Sequence, residues 1–598
     1  MNVLLIVIDA FDQTRIEESN YVLTPNLERL LTKGFKFTNV YSQAPYTEAA
    51  VMSLYAGQNT LDSGGYLYRF GNAKKTIFEC FHDAGYDVFF NSHQPQVFPS
   101  SQRKGIDCLF YGRPYDFDVL WRYRLQYYSS LYLGGQLSDC DLRVVCDFVE
   151  DNFKEAKAFL NDFLGNDKKL ALLKKANKTF DANSALNRIQ AEYNSFSKNK
   201  KRYCLEILSK GKDHGFFKIP VFDVCDFDLP KEIETIQNKE AKRICKRITR
   251  MNFFNALFKN EDLFKSSIRS TMSFIKNHNK TDFLKAFYMI KNSLFMTHIR
   301  DRYGHNARKL KGQPSFNALA DNFLEWIDSR KDRSKPFFAC VHADDVHFPE
   351  VFYSYDSPDV SVVKKELQVA NELLDKKIKR KGTIIHDLSI AYADYRVGQL
   401  LEKLDEKGVL EDTIVYVTAD HGFSYSGYPI RSKDINTFYL ENFKIPLYVF
   451  NKSAEGKKVI SSLLSSVDVP STICDVAGIE RPQSFVGGNA FEKNRDVLFI
   501  EYCGGGCPDL SRREIMLSAF DGSKMLCFKA KLDQEFGWNR LVEAYDLKAD
   551  PKQRKNVFKV VNKEDYKYLY LKAESRFLEL KKEQAGVSQK MSDLNQTI

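Results

Sequence analysis

The chain opens on an unbroken apolar run, NVLLIVID (2–9), whose β-branched content reads as a buried strand ending at Asp9. The pattern then turns helical. TPNLERLLTKG places Thr24 as a cap, Pro25 in the first turn and Gly34 as the stop. TEAAVMSLYAG predicts a further helix starting at or near Thr47. TIFECFHDAGYDVFFNS reads as a helix, a stop at Gly85 and a strand. Strands separated by helices predict a mostly parallel central sheet with helices on both faces.

From about Arg113 to Lys335 buried-strand patterns almost vanish, and lysine-rich segments of helical period such as AEYNSFSKNKKRYCLEILSKGK take over. This predicts a helical insertion, serving either as solvated bulk or as a lid or acceptor surface. The α/β pattern resumes at KPFFACVHADDVHFPE and runs through the helix AYADYRVGQLLEKLDEKGVL, the strands DTIVYVTADHG and NFKIPLYVFN, and the helix VDVPSTICDVAGI. DVLFIEYCGG, KMLCFKAKL and LVEAYDL then predict a small antiparallel sheet, followed by a charged helical tail. The expected division is 1–112 and 335–484 for the two parts of an α/β core, 113–334 for the insertion, 485–562 for the small sheet subdomain and 563–598 for the tail.

Composition narrows the class. At 598 residues the chain exceeds what one core organises, and 43% hydrophobic residues supply ample apolar surface. No apolar run reaches eighteen residues, so no spanning helix is expected. The N-terminal apolar stretch lacks the basic flank and cleavage site of a leader. Twelve cysteines without a Cys-x-x-Cys pair read as reduced thiols, and a cytoplasmic location is the expectation. The net charge of +10 reads as a solvated basic surface or as attraction to phosphorylated glycans, nucleotides or an acidic membrane surface. Peripheral membrane association therefore stays open, and no nucleic-acid motif is present to support a nucleic-acid partner.

Chemistry concentrates at two predicted strand ends. Asp9 closes the first buried strand, and Asp420, His421 and Gly422 close another. Ligands of open parallel sheets bind outside the carboxyl ends of the strands, so these side chains can converge on one metal ion. Alone, each would serve as well as a turn or cap residue. Thr47, at a helix start, then gains a role. Its hydroxyl is a poor nucleophile until a base or metal activates it, and the helix N-terminus suits an anion.

Six ordered segments carry a resemblance to the sulfatase branch of the alkaline phosphatase superfamily. NVLLIVIDA resembles the opening strand with its metal-binding Asp, and LTPNLERLLTKGFKFTNVYSQAP is similar to the family's TPNLDRLAxxGxxFTNxY. TEAAVMSLYAG stands where sulfatases carry CxPSRAxLLTG, which puts Thr47, ten residues before Gly57, at the nucleophile. FFACVHADDVHFPE resembles FFLxxHxxDPHxPY; DYRVGQLLEKLDEKGVLEDTIVYVTADHG resembles the last helix and metal strand; AYDLKADPKQRKN resembles LYDLxxDPxExxN. The resemblance implies an alkaline-phosphatase-like fold and an enzyme acting on an ester.

The departures bear on the chemistry. Sulfatases need Cys or Ser for conversion to formylglycine, within a motif containing Pro and Arg; this chain has Thr47-Glu48-Ala49-Ala50-Val51. Threonine is the nucleophile in relatives that handle phosphate, namely phosphodiesterases and phosphoethanolamine or phosphoglycerol transferases. The second Asp of the family's Asp-Asp pair is absent, since Ala10 follows Asp9. The resemblance thus implies one divalent ion (Mn²⁺, Zn²⁺, Mg²⁺ or Ca²⁺) held by Asp9, Thr47, Asp420 and His421. It implies His347 as the substrate-side histidine, with His93, His342 and Lys433 as substrate-binding candidates. Cys503 and Cys507 flank a glycine turn, read as structural. The expected activity is transfer of a phospho-group through phospho-Thr47, from a phosphorylated small molecule or glycan and onto a surface-polysaccharide precursor. The alternatives are a phosphodiesterase or sulfuric ester hydrolase, and a non-catalytic binding protein.

Overall fold

The structure, a computed structural model, describes residues 1–19, 22–62, 73–92, 104–111, 139–165, 181–210, 214–218, 316–347, 381–423, 438–454, 456–503 and 514–595, with single positions between 125 and 132. The chain divides into two compact units, Met1–Phe110 with Ser315–Phe352 and Pro358–Ile598, and Tyr111–Pro314 with Tyr353–Ser357. Among the described residues no helix is long and apolar enough to cross a membrane.

The first unit is built on a nine-stranded sheet: β1 (Asn2–Ile8), β2 (Lys33–Tyr41), β3 (Asp87–Ser92), β4 (Cys108–Tyr111), β5 (Phe337–Ala343), β6 (Thr413–Thr418), β7 (Lys444–Asn451), β8 (Gly456–Ile460) and β9 (Leu464–Ser465). Its order is β4-β3-β5-β1-β6-β7-β2-β8, with β9 also on β2. β1 lies parallel between β5 and β6, with Val7 opposite His342 on one side and Thr418 on the other. β7 runs antiparallel to both β6 and β2, while β3 is parallel to β5 and β8 to β2. β1, β5 and β6 are apolar nearly throughout because a central parallel strand is covered on both faces.

Alternation along β3 shows how the faces are covered. Phe89 packs against Phe323 and Trp326 of the helix Phe316–Ser329. Its neighbour Phe90 points the other way, onto Tyr55 of the helix Thr47–Ala56 and Phe78 of the helix Ile77–Asp83. The expected sheet with helices on both faces is therefore what forms. The helix Ile77–Asp83 starts on a Thr76–Glu79 capping box, and Gly85 follows it at φ +86°.

Two local expectations need correction. Gly34 does not stop a helix: that helix is Pro25–Leu30, and Gly34 lies inside β2, where a Cβ would come within 2.5 Å of the Val449 carbonyl oxygen. Close approach of two strands, not helix termination, requires glycine there. Thr24 does occupy the N-cap position but makes no side-chain cap bond; Asp394 accepts from the Asn26 and Leu27 amides instead.

The second sheet is an antiparallel meander, β10 (Leu498–Cys503), β11 (Glu514–Phe520), β12 (Lys524–Lys531) and β13 (Leu541–Asp546). Three of its strands follow the sequence pattern; β11 was not among those expected. Leu569, Ala573, Phe577 and Leu580 of the helix Lys567–Asn595 join Leu517, Leu526 and Phe528 in one core. From that helix Arg576 grips the buried Glu501 with Nε and Nη2 at 2.8 Å each, and Asp62 with Nη2 at 2.6 Å.

The described part of the other unit is helical. Asp139–Leu164, Ala182–Lys198 and Lys200–Lys210 gather Phe153, Tyr193, Phe196, Tyr203 and Phe216 into an aromatic cluster.

Candidate metal and nucleophile site

Just beyond the sheet's central strands, the chain turns at Asp9 and at Asp420. The Asp9 amide still donates to the Ala343 carbonyl at 2.7 Å, so its side chain emerges at the junction of β1 and β5. Ala10 follows with φ +60°, a left-handed conformation that costs a non-glycine residue on the order of 1 kcal/mol. That turn aims the Ala10 amide at Asp420 Oδ1, 3.3 Å away, which also accepts from the His421 amide at 2.8 Å. With Oδ1 so occupied, Oδ2 of Asp420 faces His421 Nε2 at 3.7 Å and His342 Nε2 at 3.8 Å.

Thr47 arrives from the other direction. The helix Thr47–Ala56 begins at it and is closed by Gly57 at φ +56°, where a Cβ would stand 2.6 Å from the Phe485 ring. Thr47 Oγ1 donates to Asp9 Oδ2 at 3.1 Å, at the first turn of the helix, where backbone N–H groups and the positive dipole end gather.

His421 supplies the sharpest test of a metal ion. Its Nδ1 lies 2.8 Å from the Gly422 carbonyl oxygen, which can only accept, so Nδ1 carries a hydrogen. In the neutral ring Nε2 then presents a lone pair, and it faces Asp9 Oδ1 at 3.2 Å. Two lone pairs at that distance call for a proton or a cation between them. Gly422 makes the turn feasible, since a Cβ there would lie 2.2 Å from the Glu441 carbonyl oxygen.

Electrostatics agree with that geometry. Burial, and next the Asp420 carboxylate, push the Asp9 carboxyl up to about 8, against the pull of His421 and the Thr47 hydroxyl. Burial opposes the Asp420 charge too, but His421, His342, Thr47 and the His421 amide together hold its carboxyl below the usual range. Burial drives His342 down to about 4. Two carboxylates, an oriented imidazole nitrogen and a hydroxyl form a donor set that fits a divalent cation.

The structure thus brings together Asp9, Thr47, Asp420, His421, His342 and His347. Ligand atoms of Asp9, His347 and His421 lie within 4.8 Å of one another, as do those of Asp9, His342 and Asp420. His347 is the more exposed of these histidines, its ring centroid 6.3 Å from that of His421. His93, Lys433 and Cys507 lie outside the described residues. Cys503 is buried at the end of β10, and its carbonyl accepts from the Tyr46 hydroxyl at 2.5 Å.

Sequence reasoning missed Tyr55. It is fully buried on the Thr47 helix, with its hydroxyl 2.9 Å from His342 Nδ1. The available signal was a tyrosine in an otherwise apolar helix, whose hydroxyl needs a partner once buried.

Known proteins share stretches of this sequence and its fold. The profile of the sulfatase family matches residues 1–185 and 257–479. An arylsulfatase of Clostridium perfringens is 25% identical over 265 residues, 40% of this chain and 52% of the relative. An N-acetylglucosamine-6-O-sulfatase of Bacteroides thetaiotaomicron is 26% identical over 181 residues, 28% of this chain and 31% of the relative. The chain therefore spans about half the length, or less, of these curated relatives. A solved structure from Bacteroides thetaiotaomicron, described under metabolism of glycosaminoglycans, matches at a TM-score of 0.50 and 14% identity, covering 99% of each chain. At that identity the likeness shows the fold alone.

Proposed function

The chain belongs to the sulfatase family, and from that premise we propose that it transfers a phospho-group from an ester through a covalent phospho-Thr47 intermediate. The observation that carries this reading is the Thr47 hydroxyl donating to Asp9 at a helix N-terminus, within a buried cluster of acidic and imidazole groups. Threonine in place of a cysteine or serine removes the route to formylglycine, and a threonine ester of phosphate is an ordinary covalent intermediate.

Asp9, Thr47, Asp420 and His421 would hold one divalent cation, which when bound offsets charge on the Thr47 oxygen and polarises the ester. The residues do the rest. Thr47 Oγ1 forms the bond to phosphorus as the bond to the ester oxygen breaks, and its proton passes to solvent water. The departing oxygen takes a proton from His347, the half-buried histidine of the cluster. Water or a sugar hydroxyl then attacks the Thr47 ester and returns a proton to His347, while the Thr47 oxygen recovers one from solvent water. Amides of the first helical turn stabilise the developing negative charge. A phosphorylated small molecule or glycan is the donor class in this reading, and a surface-glycan precursor the acceptor.

A second reading, hydrolysis of a sulfate ester, is favoured by the curated relatives, whose names are those of sulfatases. Incubation with a phosphodiester and, separately, with an aryl sulfate, followed by accurate-mass analysis of the Thr47 peptide, separates the two. A phosphoryl adduct supports transfer through Thr47. A sulfuryl adduct, or turnover that survives Thr47→Ala, overturns it.

A further inference from the structure

Cysteines that the proposed reaction leaves unused meet in pairs. Cys146 stands on the helix Asp139–Leu164 and Cys204 on the helix Lys200–Lys210, both in the second unit. Cys146 Sγ lies 3.7 Å from the Lys200 carbonyl oxygen. A helical side chain leans back over the turn before it, so the side chain of Cys204, four residues on, covers that same carbonyl. There the two thiols share a hydrogen bond.

A second contact fixes the register. Glu150, one turn beyond Cys146, forms an ion pair with Lys200, one turn before Cys204. The helices therefore run antiparallel at this contact, with an ion pair on one rung and two sulfurs on the next. Both cysteines are free thiols, and their exposure differs: Cys204 is fully buried and Cys146 half-buried. The hydrogen bond with Cys204 holds the Cys146 thiol below its ordinary range, against burial and Asp147, and so raises its thiolate share. Cys80 and Cys474 also share a hydrogen bond, in the first unit, but they are only 3% and 0% exposed. Contact between sulfurs is common to both pairs; access from solvent belongs to one.

We infer that Cys146 and Cys204 form a reversible thiol–disulfide site, entered through Cys146, whose oxidation by a low-molecular-weight disulfide staples the two helices together. The Cys146 thiolate attacks one sulfur of the small disulfide and breaks its S–S bond. The first small thiolate leaves and takes up from water the proton that Cys146 had released. Cys204 then attacks Cys146 Sγ, and its proton passes to the second departing thiolate. The protein dithiol is oxidised by two electrons and the small disulfide is reduced to two thiols. The link closes the segment that carries the helix Ala182–Lys198, and with it Tyr193 and Phe196 of the aromatic cluster. Neither cysteine enters the proposed reaction at Thr47, so the two ideas stand or fall separately.

The test treats the full, reduced chain with oxidised glutathione under native conditions. The mixture is quenched in acid, remaining thiols are alkylated in denaturant, and peptides are mapped by accurate mass without reduction. Expected is a linked Cys146–Cys204 peptide, lighter by two hydrogens than its separate halves and lost on adding dithiothreitol, while Cys80 and Cys474 are recovered alkylated. Cys204→Ser should stop with glutathione held on Cys146, and Cys146→Ser should leave Cys204 unmodified. Amide exchange in both helices should slow by roughly tenfold or more in the linked chain. Absence of the linked peptide, glutathione persisting on Cys146 with Cys204 present, or linkage of Cys80 to Cys474 at the same rate overturns the inference. So does amide exchange that the link leaves unchanged. The unsubstituted chain decides by itself if a variant fails to fold.

Discussion

His421 and Asp9 face each other at 3.2 Å, Nε2 to Oδ1, while the other nitrogen of His421 is taken by its neighbour's carbonyl at 2.8 Å. A proton and a divalent cation therefore compete for one place. The Asp9 carboxyl, raised to about 8, holds its proton below that pH and loses it above. Binding of Mn²⁺ must displace it, so affinity falls as pH drops below about 8, by about tenfold per unit for one displaced proton. Calorimetric titration with Mn²⁺ from pH 6 to pH 9 reads the slope directly; a flat profile contradicts the assignment.

On the proposed function, Thr47→Ala removes the attacking oxygen. Turnover is expected to fall by about 1,000-fold or more, the order found when a covalent nucleophile is deleted. Thr47→Ser keeps the hydroxyl and retains measurable activity. Steady-state rates with a chromogenic phosphodiester, compared at equal folded fraction, check both.

Gly422→Ala places a methyl group against the Glu441 carbonyl, where a Cβ would lie at 2.2 Å. The loop must shift, at a cost of about 1–3 kcal/mol. Because His421 precedes this glycine, metal binding should weaken together with stability. Urea unfolding and Zn²⁺ titration of the same preparation report the two effects.

Arg576→Ala leaves the buried Glu501 without its guanidinium partner. Breaking a buried ion pair from one side costs about 3–5 kcal/mol. The midpoint of urea unfolding should fall accordingly, with near-ultraviolet circular dichroism reporting loss of packing around the second sheet.

His386 is fully buried beside Phe423, and burial, reinforced by Arg15, drives its imidazole down to about 3. The folded chain keeps this ring neutral, while the unfolded chain takes up a proton below about pH 6.5. Its contribution to stability is present above that pH and is lost as pH falls toward 3, at up to about 1.4 kcal/mol per unit. His386→Gln should flatten the pH dependence of the urea midpoint between pH 6.5 and 4.

Much of this was legible in the chain because the decisive signals are local. A strand's apolar run ends at Asp9, another ends at Asp420, and a helix begins at Thr47; parallel pairing of β1 with β6 brings the first two together. What escaped depended on distant neighbours. Gly34 sits beside a helix in sequence, but its need for a missing side chain comes from Val449 across the sheet. Asp394 caps a helix far from it in the chain, where only Thr24 was in view. Nothing near Tyr55 in the sequence points to its partner, because His342 lies 287 residues away. Spacing reveals which face a residue takes, and only tertiary packing reveals what waits there.

Ala10 and Asp420 meet across 410 positions of chain. During synthesis at about 5–20 residues per second, roughly 20–80 s therefore pass between the emergence of the first acidic group and the arrival of its counterpart. Until then Thr47 has only part of its surroundings, and in the proposed role it would be inert by incompleteness. On the proposed function, translation itself would time the activity, since the nascent chain lacks the site until its central strands have joined.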